Sequence, residues 1–180
     1  MKVRIPARRL LATALLLVLG GCGVLETRIQ PPCPPVLVLK DTAELIRFRP
    51  GPGRDITDVL FSANVVDFRA QCTYNRKRTE VEIDLSVIFD VRRGPADRER
   101  KAAFDYFVAI PQFHPSPRGK QVFPTRVAFE GNRTRLRYRD RVKLTIPLDP
   151  KRPRRDYAVY IGFQLTEGEV AANRRRRRPR

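Results

Sequence analysis

Six cations recur at every second position between residues 133 and 143: Arg133, Arg135, Arg137, Arg139, Arg141 and Lys143. Apolar Leu136, Tyr138, Val142 and Leu144 hold even positions of the same stretch. A strand repeats its face every two residues, about 6.8 Å, so the cations would stand in one row about 34 Å long. Such a row can capture a polyanion. Like charges in a row also repel, which allows a second solution inside the protein. Glu80, Glu82, Asp84 and Asp90 share one parity on another segment, and cross-strand pairs of opposite charge contribute roughly 0.2–1 kcal/mol each. The pattern leaves both readings open, a binding face or an internally paired one. A second cationic segment closes the chain, Arg174 to Arg178 and Arg180. Near an anionic bilayer each such cation contributes about 1 kcal/mol; the same run also fits a solubilising tail.

Catalytic chemistry is poorly represented. His114 is the single histidine and sits in Phe113-His114-Pro115. A hydrolytic triad needs a histidine held beside a nucleophile and an acid. No Gly-x-Ser-x-Gly occurs, and Ser62, Ser86 and Ser116 have no motif around them. The loop Arg47 to Asp55 is rich in proline, which lacks an amide donor and makes a poor phosphate cradle. No catalytic residue is assigned. An envelope hydrolase or polymer-modifying enzyme using Asp, Glu and His114 is the alternative to a binding module. Two distant cysteines and one histidine form no recognisable metal-ligand set, and no cofactor is implied.

The N-terminus carries an address. Lys2, Arg4, Arg8 and Arg9 precede the apolar run Leu10 to Leu19, with no acid before Glu26. About ten apolar residues match a signal-peptide core and fall well short of a membrane span. Leu19-Gly20-Gly21-Cys22 follows. This segment resembles the signal and lipobox of a bacterial lipoprotein. The resemblance covers the first 22 residues only and carries no activity. It implies removal of residues 1–21, lipid on Cys22, and a membrane held through that anchor, each buried CH₂ adding about 0.8 kcal/mol. Gly23 stands where an aspartate would retain such a protein at the inner membrane. The resemblance therefore implies the outer membrane, facing the periplasm. Cys33 and Cys72 then remain as a pair in an oxidising compartment, where a disulfide is expected; two free thiols are the alternative. In that setting Asn132-Arg133-Thr134 is a chance match to a glycosylation acceptor.

The net charge of +18 falls to +14 without the four signal cations, and to about +8 without the six tail arginines. Such a balance ordinarily suggests nucleic acid, but the export signal argues against it. The expected partners are an acidic envelope protein, anionic lipid or anionic polysaccharide.

The elements that must position these residues read as strands. Glu80 to Val91 is the clearest, with Val81, Ile83, Leu85, Val87, Phe89 and Val91 on one face. From Ile56 to Tyr74 the alternation slips phase near Val65-Val66, as a β-bulge would cause; two strands crossing between sheets would give the same pattern. Ala43 to Phe48 is strand or short helix. Ala96 to Ala103 has room for a helical turn or two. Val122 to Phe129 contains Pro124, which suggests an edge strand or a bulge. Val36 to Leu39, Phe104 to Ile110, Thr134 to Leu148 and Tyr157 to Leu165 bring the total to about seven strands. The expected fold is all-β, an antiparallel β-sandwich of immunoglobulin-like type. The expected organisation is a signal peptide over 1–21, a lipidated proline-rich tether over 22–35, the sandwich over 36–168 and a disordered arginine-rich tail over 169–180.

Overall fold

Val81, Ile83, Leu85, Val87, Phe89 and Val91 are all buried, as their alternation predicts, and they form the centre of β4 (Glu80–Arg93). The computed structural model describes residues 31–177. β4 pairs with β3 (Val59–Tyr74) on one side and with β7 (Arg135–Pro147) on the other. β2 (Glu44–Phe48) pairs with the first part of β3, giving the order β2-β3-β4-β7. The second sheet has the order β1-β8-β5-β6, from β1 (Val36–Val38), β5 (Lys101–Ala109), β6 (Lys120–Ala128) and β8 (Val159–Phe163). Every pair is antiparallel except β1 with β8. The described chain is thus an all-β sandwich of eight strands in two layers.

Phe89 fills the space between the layers. Its ring lies 5.3 Å from Phe104, 5.0 Å from Tyr106 and 5.6 Å from Phe163, centroid to centroid. Tilted pairs at this range contribute about 0.5–1.5 kcal/mol each beyond area burial. Tyr106 brings a hydroxyl into this core and donates it to Asp140 Oδ2 at 2.8 Å. Burial, followed by that hydrogen bond, pushes the Tyr106 phenol far above its ordinary range.

The phase slip at Val65-Val66 is a bulge within one strand. Val65 pairs with Phe89 and Asp67 with Ile88, leaving Val66 unopposed and exposed. β6 is an edge strand, so Pro124 withholds no amide from a neighbour on its open side. Residues 96–100 form turns rather than the helical turn expected there. Asp97 accepts the amides of Glu99 and Arg100 at 3.0 Å and the Arg93 Nε at 3.0 Å, which closes the chain before β5. Gly94 is required at this corner, because a Cβ there would lie 2.1 Å from the Val59 carbonyl oxygen.

Two boundaries differ from expectation. Cys33 and Cys72 form a disulfide with Cα atoms 5.9 Å apart. Tyr74 also donates its hydroxyl to the Pro32 carbonyl at 2.7 Å, Pro34 is buried, and the Val159 amide donates to Pro35 at 2.8 Å. Residues 32–35 therefore belong to the sandwich rather than to a tether. The loop of 39 residues closed by the bridge makes it worth roughly 3–4 kcal/mol by chain entropy. At the other end, residues 169–177 are not disordered. They lie in α1 (Glu167–Arg177). Thr166 and Glu169 form a reciprocal cap: Glu169 Oε2 accepts the Thr166 amide at 2.8 Å, and Thr166 Oγ1 accepts the Glu169 amide at 3.3 Å. Acids in the first turn and arginines in the last complement the helix dipole. The expected signal peptide and lipidated Cys22, residues 23–30, Arg178 and Arg180 lie outside the described residues.

Candidate anion-binding surface

β7 is the edge strand of its sheet, and its odd positions face outward. Arg135, Arg137, Arg139, Arg141 and Lys143 are exposed, while Val142 and Leu144 are buried and Leu136 and Tyr138 partly so. Arg133 is exposed too but precedes the strand, in the turn after Gly131. Opposite the row on β4 stand Arg92, Asp90, Ile88, Ser86 and Asp84, in register with Arg135, Arg137, Arg139, Arg141 and Lys143. Two carboxylates and three residues without one face five cations, so compensation is local.

Both ends of the row are paired. Asp90 accepts Arg135 Nε at 2.6 Å and Arg92 Nε at 3.1 Å. It is 2% exposed although it lies on the outer face, because the two guanidiniums cover it. The Arg135 hydrogen bond, helped by Arg92, outweighs burial and holds its carboxyl below the usual range. At the far end Lys143 Nζ lies 2.9 Å from Glu82 and 3.9 Å from Asp84. The Glu82 hydrogen bond raises the Lys143 ammonium above its ordinary value. Each exposed pair contributes little to stability.

The centre of the row is different. Among the described residues, the guanidiniums of Arg137, Arg139 and Arg141 have no carboxylate oxygen within 4.0 Å. Ser86 pairs with Arg141 on one side and with Arg69 of β3 on the other. Two strand spacings separate those arginines, about 9.6 Å between backbones. The small serine between them leaves a concavity of about 550 Å³, lined by Arg69, Gln71, Ser86, Arg139, Arg141 and Lys143. Asp84 also borders it, on the side of Lys143. Guanidinium forks flanking a hydroxyl and an amide suit phosphate, sulfate or carboxylate oxygens, which they can meet two at a time.

The remaining candidates fall elsewhere. Arg174 Nε pairs with Asp41 at 2.6 Å and Arg177 with Glu44 at 3.4 Å, while Arg175 and Arg176 border a separate groove beside β2. His114 is exposed in the turns between β5 and β6. No group of three or more His, Cys, Asp or Glu side chains capable of holding a metal ion occurs among the described residues. Arg69, Gln71 and Ser86 are the members of the concavity that sequence reading missed. The phase of β3 beyond its bulge would have placed Arg69 outward, but its position opposite Ser86 depends on the register.

No protein-family model, curated protein or solved structure matches this chain.

Proposed function

We propose that this chain is a non-enzymatic, membrane-anchored envelope lipoprotein whose sandwich binds an anionic envelope component or an acidic partner protein through the face of β3, β4 and β7. The observation that carries the reading is the cluster of Arg69, Arg139 and Arg141 around Ser86, whose guanidiniums pair with no acid, between row ends that are paired internally. A face built only to balance its own charge would set an acid opposite Arg139 and Arg141; Ile88 and Ser86 stand there instead. The anchor is part of the same reading. Lipid on Cys22 holds the protein at a membrane surface, with the outer membrane facing the periplasm as the proposed site. Within it, "immunoglobulin-like" describes the two-layer architecture. The strand order keeps β2, β3 and β4 in one sheet, whereas the third strand of an antibody constant domain crosses to the other.

Two measurements test this. Acyl labelling and membrane fractionation of the Cys22→Ser chain should show loss of both lipid and membrane retention; retention without label would remove the anchor. The same unacylated chain should co-sediment with anionic vesicles and not with zwitterionic ones. That binding should fade as salt rises above 0.15 M, where charges are screened over about 8 Å. Equal binding to both vesicle types would contradict the anionic specificity.

A further inference from the structure

β2 has one unpaired edge. Ala43 accepts the Val65 amide at 2.9 Å through its carbonyl, which turns that carbonyl, and by alternation the peptide groups of Leu45 and Arg47, toward β3. Glu44 and Ile46 therefore direct theirs to the open side. Asn173 Nδ2 donates to the Glu44 carbonyl at 2.8 Å from that side. α1 thus covers the Glu44 end of the edge, and no second strand covers the rest.

Between this edge and α1 runs a groove of about 600 Å³. Its helix wall includes Gly168 and Ala172, one turn apart on one face. A Cβ added at Gly168 would meet nothing within 4 Å, so the space is open. Ile46, Phe48 and Leu165 supply apolar surface. Both carboxylates bordering the groove are engaged, Glu169 by Arg47 at 2.8 Å and Glu44 by Arg177 at 3.4 Å. Arg54, Arg175 and Arg176 also border it and have no carboxylate within 4.0 Å among the described residues; Arg54 donates to the Gly51 and Gly53 carbonyls over the Phe48 ring, and Arg176 to Asn173 Oδ1.

We infer that this groove docks an extended acidic segment of a partner protein, which adds as a strand to the free edge of β2 and sets its carboxylates against Arg54, Arg175 and Arg176. The edge supplies main-chain hydrogen bonds, and alternate side chains of the segment meet Ile46, Phe48 and Leu165. Beyond the Glu44 carbonyl, Ile46 to Phe48 leave about 10 Å of open edge. The groove lies at the opposite edge of the sheet from β7 and does not depend on the anionic face there.

The test uses the full-length chain and three ten-residue fluorescent peptides: alternating Glu-Val, the same peptide N-methylated at alternate amides, and alternating Lys-Val. The Glu-Val peptide should bind, and the other two should bind at least tenfold more weakly. Gly168→Leu should fill the groove and weaken Glu-Val binding at least tenfold. It should not lower the melting temperature, because leucine favours a helix over glycine. Arg175→Glu should weaken binding similarly, and Arg139→Gln with Arg141→Gln should leave it unchanged. Four results would overturn the inference: no Glu-Val binding at about 1 mM, equal binding of the N-methylated peptide, indifference to Gly168→Leu, or loss only in the Arg139/Arg141 variant. Self-association that Gly168→Leu abolishes, and that excludes the peptide, would overturn it in favour of a second copy as occupant.

Discussion

The two arginine-rich segments share a composition and solve opposite problems. On β7 a two-residue period puts every cation on one face, so charge accumulates and is neutralised only where β4 offers Asp90 or Asp84 and Glu82. On α1 a 3.6-residue period spreads four consecutive arginines around the axis. Arg174 and Arg177, three apart, reach Asp41 and Glu44, Arg176 donates to Asn173 Oδ1, and Arg175 borders the groove. Secondary structure decides whether a run of like charge becomes a surface potential or a set of individual contacts. The strand therefore concentrates charge on one outer face, and the helix divides it between holding itself in place and facing the groove.

The comparison makes graded predictions. If α1 is held by specific contacts, Asn173→Ala should have the largest effect. Asn173 is buried and donates to the carbonyls of both Asp41 and Glu44, at 2.9 and 2.8 Å. Losing both bonds should cost about 2 kcal/mol, and hydrogen exchange should show the amides of residues 171–177 losing protection. Unchanged protection would mean that the arginines alone hold the helix.

The paired end of the β7 row should respond next. Asp90→Asn should cost about 1–2 kcal/mol by denaturant titration, discounted for the half-exposed guanidiniums of Arg135 and Arg92. Because the folded carboxyl titrates below its unfolded value, the stability it contributes is full above about pH 4. It is lost as pH falls through the depressed folded value. The wild-type melting temperature should therefore fall more steeply than that of Asp90→Asn as acid is added below pH 4. Parallel acid profiles would show that Asp90 is not held by its arginines.

Thr166→Ala should cost about 1 kcal/mol by removing the cap of α1. Arg139→Gln with Arg141→Gln should change stability least, by under about 0.5 kcal/mol, because no internal acid depends on either residue.

The residues that were easy to read from sequence are those whose environment is set by the strand itself. Val81 to Val91 on β4 and the odd cations of β7 follow from a period of two, which also marks the slip at Val65-Val66 without choosing between a bulge and two strands. α1 was misread because six arginines in seven positions resemble a disordered tail. The correcting signal was present: Thr166-Glu167-Gly168-Glu169 fits the spacing of a capping box. The concavity was less accessible. Arg69 meets Ser86 and Arg141 only through two strand registers, and register is a non-local property. The same holds for β1, whose parallel pairing with β8 joins residues more than a hundred positions apart.

The central claim is that the middle of the β7 row, with Arg69, captures anions while its ends serve the fold. The most direct measurement compares two variants of the unacylated chain by anionic-vesicle co-sedimentation and thermal melting. Arg69→Gln with Arg139→Gln and Arg141→Gln should lose most salt-sensitive binding and keep its melting temperature. Arg135→Gln with Lys143→Gln should keep most of its binding and melt lower. The reverse assignment, or equal loss of binding in both variants, would contradict the division of the row.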